Sequence, residues 1–248
     1  MESCTSRSQY DFNVKILFLS ISLFFISEIN SQSLNGKKLL EKAISYHDPY
    51  SKWNSFNSSF NVTMESPKRP IRKSKIELNL PSSFFRLKVN QNENIIVSTL
   101  TKDKCILSFN GEENFTDEIK KEYRLNCERA TVLKDYYTYL YGLPMKLKDP
   151  GTIIDPIVQK TIIDGVEYYV LKVTYDEAVG NDTWYFFFDQ NTYALKQYQF
   201  FHDESKNDGE YILLEDELEV NGIKMPKNRS WYFNSNDQFL GTDKLSIN

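Results

Sequence analysis

A long series of short segments in which apolar and polar residues alternate constrains this chain more than any other feature. Alternation with a period of two, bounded by Pro, Asn and Gly, is typical of strands that bury one face. About eleven or twelve such segments can be traced, and an antiparallel sheet of that size curls rather than staying flat. The sequence therefore predicts an α+β fold on a strongly curved antiparallel sheet, an incomplete β-barrel.

Two dipeptides specify tight turns within this series. Asp164-Gly165 and Asn221-Gly222 each separate two alternating segments, and both dipeptides favour the type I′ turn that matches strand twist. If the second loop has two residues, Val220 faces Ile223 and apolar side chains meet across the pair. Both turns therefore predict antiparallel hairpins.

The N-terminal residues read as an export signal. Residues 16–26, ILFLSISLFFI, follow Arg7 and form an apolar run that is too short to span a membrane but fits a secretory signal. Residues 1–31 are predicted to be a cleaved signal peptide, the alternative being an uncleaved membrane tether. Residues 32–248 are predicted to be a single periplasmic or secreted domain without a stable transmembrane segment.

Residues 116–141 interrupt the strands with a helical pattern that ends in four tyrosines within YYTYLY. Its apolar residues recur on one helix face: Leu133, Tyr136, Tyr137 and Leu140. Gly142 and Pro144 should end this helix, so residues 143–147 are predicted to be extended. A first helix is predicted at residues 36–47 behind the N-cap Asn35. We expect the tyrosine-rich helix to cover the opening of the curved sheet.

The segment WYFFF at residues 184–188 is apolar on both faces, so it must be covered twice. One interpretation is an ordinary closed core. The other is an inner face that lines a cavity for an apolar or lipid-like ligand. The second interpretation predicts these ligand-binding residues: Tyr136, Tyr137, Leu140, Leu143, Met145, Trp184, Phe186 and Phe188.

Motifs for catalysis are absent from the sequence. His202 could pair with Asp203 or Glu204 in a hydrolase, although adjacent strand residues point to opposite faces. The loop at residues 203–210 fails the calcium pattern, because Asp208 stands where a glycine is required. No metal site, cofactor or phosphate loop is predicted. The formal net charge of −4 gives no electrostatic reason to expect nucleic acid.

Three cysteines occur in the chain, and Cys4 falls within the predicted signal peptide. Cys105 and Cys127 then form an even pair in an oxidising compartment. They could form a disulfide or remain two buried thiols.

Four stretches carry a resemblance to a known family: YYTYLYGLPMKLKDPGT, VTYDEAVGNDTWYFFFDQNTYALKQYQFFHDE, GEYILLE and FLGTDKL. They resemble an uncharacterised family of secreted bacterial proteins, a domain of unknown function without an established activity. In architecture that family is similar to the LolA and LolB lipoprotein carriers, which are curved sheets with helices in the opening and a cavity for acyl chains. This sequence departs from the carriers in its tyrosine-rich cover, and no counterpart of their cavity arginine is placed in it.

The resemblance and the pattern together predict a LolA-like half-barrel that is not an enzyme and carries a lipid-like ligand. The first alternative is an envelope structural or interaction module with a closed core. The second alternative is a hydrolase that uses His202. Protein partners are not predicted.

Overall fold

The computed structural model describes residues 34–247, so the predicted signal peptide lies outside the described residues. The first helix, α1 (Gly36–His47), begins where Asn35 Oδ1 accepts a hydrogen bond of 3.0 Å from the backbone N–H of Lys38. Its buried face packs into the core through Leu39, Leu40 and Ala43. Within residues 34–247, none of the helices is long and apolar enough to cross a bilayer.

Twelve strands form one sheet in which every neighbouring pair is antiparallel. They are β1 (Asn57–Ser66), β2 (Arg69–Asn79), β3 (Phe84–Gln91), β4 (Asn94–Leu100), β5 (Cys105–Phe109), β6 (Thr152–Ile163), β7 (Val166–Tyr175), β8 (Thr183–Asp189), β9 (Leu195–Phe201), β10 (Glu210–Val220), β11 (Ile223–Phe233) and β12 (Phe239–Ser246). The sheet is open and curved, which confirms the predicted incomplete barrel.

The strand order explains why a helix must cover this sheet. The order is β5-β4-β3-β2-β1-β12-β11-β10-β9-β8-β7-β6, so two meanders meet where β1 pairs with β12. The edge strands are β5 and β6, which are consecutive strands along the chain. Their connection therefore has to cross the whole sheet, and it contains α2 (Asp117–Tyr123) and α3 (Cys127–Tyr141).

Both predicted hairpins are present in the structure. Val220 pairs with Ile223 in the β10–β11 hairpin, as expected for a two-residue loop. Asn221 and Gly222 have φ values of 53° and 82°, the positive values that a type I′ turn requires at both central residues. The φ values of Asp164 and Gly165 are likewise positive, at 51° and 79°.

Two predictions about the connection are wrong in detail. The helical stretch is two helices, because Arg124 adopts the left-handed conformation with φ 54° and Asn126 caps a new helix. Residues 143–147 are not extended, since Met145–Lys148 forms a 3₁₀ turn. Pro144 lies just before that turn, at a position where the turn needs no hydrogen bond from a backbone N–H.

Candidate functional site

The helix α3 is the cover that the sequence predicted. Asn126 Oδ1 accepts a hydrogen bond of 2.7 Å from the backbone N–H of Arg129 and starts the helix. The N–H of Gly142 bonds to the carbonyls of Thr138 and Tyr139 and ends it. A Cβ at position 142 would lie 2.2 Å from Trp53 Cζ2, so only glycine fits where α3 meets the core.

The four tyrosines of α3 reach four different strands of the sheet. Their ring partners, with centroid distances, are Trp231 of β11 for Tyr136 (6.5 Å), Phe85 of β3 for Tyr137 (6.5 Å), Trp184 of β8 for Tyr139 (5.7 Å) and Phe60 of β1 for Tyr141 (4.7 Å). Burial raises the pKa of each of these tyrosines, so their hydroxyl groups stay neutral. The aromatic helix end is therefore a packing element that ties both halves of the sheet together.

A disulfide holds the other end of α3. Cys127, the first residue of the helix, is bonded to Cys105 in the edge strand β5. Of the two alternatives left open by the sequence, the structure therefore has the disulfide. It anchors the start of the cover to one edge of the sheet, whereas the tyrosines anchor its end.

The predicted ligand-binding residues are mostly part of a packed core. Six of them are at most 6% exposed: Tyr137, Leu140, Leu143, Met145, Phe186 and Phe188. The last five of these and Trp184 line none of the three cavities described below. Side chains of one buried hydrophobic cluster, shared by α3 and the sheet, occupy the space directly beneath α3. Contact of these residues with a ligand stays a prediction.

Arg229 of β11 lies in this filled space, although the sequence analysis placed no arginine there. It is 1% exposed, and its guanidinium donates hydrogen bonds to the backbone carbonyls of Pro226 (2.9 Å) and Leu140 (3.4 Å). The guanidinium carbon also lies 4.0 Å from the centre of the Tyr141 ring. The sequence contains a partial signal: Arg229 occupies the same alternate positions of the strand as Ile223, Met225 and Trp231. The exposed Lys227 interrupts this pattern.

The residue opposite this arginine on the neighbouring strand is an acid, Asp243. The two are register partners on β11 and β12, and Asp243 is 4% exposed. Burial raises the pKa of Asp243, while the positive charges of Arg72 and Arg229 act in the opposite direction. The buried face of the sheet thus carries charge beneath an otherwise aromatic cover.

Three open cavities each have residues of α3 in one wall. The Tyr139 cleft, about 410 Å³, lies between α3, the β2–β3 turn and Tyr175, whose hydroxyl bonds to that of Tyr139. The aromatic cleft, about 500 Å³, lies between Tyr136, Trp231 and the β11–β12 turn. The arginine cleft, about 150 Å³, lies at the start of α3. Tyr136 and Tyr137 are the predicted ligand-binding residues that line one of these clefts.

The arrangement proposed for a hydrolase is not present. His202 Nδ1 lies 2.7 Å from Oδ1 of Asp182, a residue of the β7–β8 loop, rather than beside Asp203 or Glu204. Asp203 instead accepts hydrogen bonds from Ser205, and Glu204 is bonded to Tyr185. His202 and Asp203 lie after the end of β9 at Phe201, and Glu204 begins a 3₁₀ turn, so a turn rather than a strand separates these side chains. Among the described residues, no group of three or more His, Cys, Asp and Glu is placed to hold a metal ion.

The profile of a family described as a family of unknown function, DUF6503, matches residues 14–248. No curated protein matches the chain. The predicted resemblance to a family without known activity is confirmed.

Similar solved structures include a LolA superfamily protein from Nitrosomonas europaea (13% identity, 87% of this chain and 93% of that chain, TM-score 0.47). A DUF1329 family protein from Desulfovibrio piger is 8% identical over 85% of this chain and 91% of that chain, with a TM-score of 0.46. A putative outer membrane lipoprotein-sorting protein domain from Vibrio parahaemolyticus is 7% identical over 85% and 89%, with a TM-score of 0.47. None of these similarities bears on what this chain binds.

Proposed function

We propose that this chain, which belongs to the DUF6503 family of unknown function, is a non-enzymatic exported protein that binds and carries a lipid-like apolar ligand. The aromatic cleft is the observation that supports this proposal. Its volume of about 500 Å³ falls within the range of about 300–1,000 Å³ that is typical of small-molecule sites.

Aromatic rings form one side of the aromatic cleft and favour an apolar ligand. Two basic and two acidic residues also line the cleft: Lys68, Arg69, Glu210 and Asp243. The rings of Tyr136 and Trp231 are stacked, with an interplanar angle of 19°. At the rim, Phe233 and Phe239 remain 37% and 40% exposed. A ligand that covers these rings would remove apolar surface from water, which is worth about 25 cal/mol per Å². Binding would be passive and would need no chemical step.

The disulfide supports export to an oxidising compartment, since such bonds are rare in proteins of reducing compartments. A periplasmic or secreted location also agrees with the signal-like pattern at residues 1–31. A lipid-like molecule has low solubility in the aqueous space outside the inner membrane. A carrier there would hide the apolar surface of its ligand during transfer.

Native mass spectrometry of gently purified protein provides the first test, and we expect a co-purifying lipid-like mass.

The second test is titration with an environment-sensitive fluorescent fatty acid. Trp231→Ala should weaken its binding about tenfold, equivalent to about 1.4 kcal/mol. Tyr169→Ala is the matched control, because the Tyr169–Tyr193 ring pair is also stacked but lines none of the three clefts. Clean apo protein with no probe binding would refute the proposal.

A second candidate function, an envelope interaction module with a closed core, is favoured by the filled space beneath α3. In that case the protein would bind no lipid, and Trp231→Ala would change stability alone. The titration with the fluorescent fatty acid separates the two candidates directly.

A further inference from the structure

Three arginines lie around the arginine cleft, and no carboxylate lines it. They are Arg72 of β2, Arg124 between α2 and α3, and Arg129 in the first turn of α3. In the described part of the chain, no Asp or Glu lies within ion-pair distance of any of the three. Three like charges at one cleft repel one another unless an anion neutralises them.

The charges act on one another across the cleft. The pKa of Arg129 is lowered first by burial and then by the positive charges of Arg124 and Arg72. Nε of Arg72 is buried and has no hydrogen-bond partner among residues 34–247. The charge of Arg72 acts on Asp243, but Asp243 does not line this cleft. The two residues lie on either side of Met64, which pairs with Arg72 on one side and with Asp243 on the other.

The remaining walls of the arginine cleft set the kind of anion that fits. Leu87 and Val89 of β3 and Leu133 of α3 form an apolar side of the cleft. The volume of about 150 Å³ is enough for one phosphate or carboxylate group. Guanidinium groups bind such groups through two parallel hydrogen bonds, which lysine cannot provide.

We propose that the arginine cleft is a binding site for an anionic phosphate or carboxylate group, held by Arg72, Arg124 and Arg129. The group can belong to an amphiphile whose chain lies along the apolar side, or it can be a free anion. This site stands apart from the aromatic cleft, and it does not require that the aromatic cleft binds lipid. The backbone N–H of Arg129 already donates a hydrogen bond to Asn126 and is not available to an anion. The arginine side chains therefore supply the attraction for the anion.

The disulfide positions this site. Cys127 lies two residues before Arg129 and is bonded to β5, which pairs with the strand that contributes Ile96 and Ser98 to the cleft. Reduction of the bond would release the start of α3 and separate Arg129 from Arg72. Anion affinity should therefore fall when the protein is reduced, without any change to the arginines.

Isothermal titration of the full mature chain with dodecyl phosphate, dodecanol and inorganic phosphate tests the proposal. We expect dodecyl phosphate to bind at least tenfold more tightly than dodecanol. Arg129→Gln should remove that preference, whereas Arg129→Lys should restore part of it. Arg86→Gln is the matched control, because Arg86 is an exposed arginine of β3 that does not line the cleft. Unfolding curves of each variant show whether it is folded.

Each outcome decides the proposal. Tight binding of inorganic phosphate identifies a free anion, and tight binding of dodecyl phosphate alone identifies an anionic amphiphile; both support the site. Equal binding of dodecyl phosphate and dodecanol, or equal losses in the Arg129 and Arg86 variants, would overturn it. A protein that binds the fluorescent fatty acid through Trp231 but shows no anion preference contradicts this inference alone. One that binds phosphate without binding lipid contradicts the proposed function alone.

Discussion

Arg229 and Asp243 face each other across β11 and β12 beneath the cover helix, and both are almost completely shielded from solvent, at 1% and 4% exposure. Arg229 also bonds to the carbonyl of Leu140 near the end of α3. One buried guanidinium therefore links the charge on the sheet to the position of the helix. Burying a charge is costly unless an opposite charge or hydrogen bonds compensate it, so removal of either residue should lower the free energy of unfolding considerably.

Arg229→Met is expected to lower the free energy of unfolding by about 3–5 kcal/mol, because it removes one of the two positive charges that offset the buried Asp243 and the two hydrogen bonds that Arg229 donates to backbone carbonyls. Chemical denaturation at pH 7 measures this. Lys227→Met is the control, since Lys227 is an exposed base on the same strand. A double change of Arg229 to Met and Asp243 to Leu should cost less than the sum of the single changes. Equal losses from Arg229→Met and Lys227→Met would contradict the role of the buried pair.

His47 should make the protein less stable in mild acid. Its Nδ1 lies 2.7 Å from the carbonyl oxygen of Lys224, and its Nε2 accepts a hydrogen bond of 2.9 Å from the N–H of Leu195. A protonated ring could not accept that bond, and burial lowers the pKa of His47 in the folded state. The stabilisation is thus complete above the unfolded pKa of about 6.5 and is lost as pH falls from there toward the folded pKa. A tenfold difference in proton affinity corresponds to about 1.4 kcal/mol.

Unfolding free energies measured from pH 8 to pH 5 test this dependence. The background should be His202→Asn, because the hydrogen bond to Asp182 raises the pKa of His202 and gives the opposite sign. That exposed pair contributes little, since solvent screens it. A flat profile between pH 7 and pH 5 in the His202→Asn protein would refute the assignment.

Gly142→Ala should destabilise the protein by about 1–3 kcal/mol, the usual cost of forcing extra volume into a packed site. The added methyl would overlap Trp53 at the point where α3 meets the core. Gly180→Ala provides the comparison, since no atom lies within 4 Å of a Cβ at that position. Thermal unfolding of both variants distinguishes close packing from a general effect of replacing glycine.

Removal of the disulfide by Cys105→Ser with Cys127→Ser should cost about 3 kcal/mol, because the bond closes a loop that is otherwise free in the unfolded chain. The loss should appear in denaturation of the oxidised wild type against the double variant. A reducing agent should destabilise the wild type to the level of the variant and leave the variant unchanged. If the reductant affects both equally, the bond is not responsible.

Phe186→Ala should lower stability by about 3–5 kcal/mol, as expected for a buried aromatic ring. Its affinity for the fluorescent fatty acid, measured where the variant is still folded, should equal that of the wild type. Trp231→Ala should show the reverse result, a loss of affinity for the probe with a smaller loss of stability, because Trp231 lines the aromatic cleft. A loss of probe affinity in Phe186→Ala would instead restore the ligand-binding role that the sequence predicted for this residue.

The strands and turns of this protein could be predicted because they depend on local patterns. The pairing of Val220 with Ile223 follows from a two-residue turn and a period of two, both of which can be read within a few residues. The end of α3 at Gly142 follows from local chemistry in the same way. The break at Arg124 was missed because a single left-handed residue leaves little trace in a helical pattern.

The candidate sites could not be predicted to the same degree, because they depend on contacts between distant parts of the chain. Tyr136 was identified, but its partner Trp231 comes from the last hairpin. The pairing of His202 with Asp182 required the position of a loop from another strand connection. The arginine cleft likewise joins β2 to α3 across the fold.

The sequence by itself determined a curved antiparallel sheet with an aromatic helix laid over it, since periodicity, turn dipeptides and helix-ending residues act over short distances. Only the tertiary structure decided that the space beneath the helix is filled, that Arg229 lies within it, and that three arginines meet at its margin. The physical reason is that alternation tells which face a side chain takes, but not how much volume the opposite element leaves for it or which charges come to surround it.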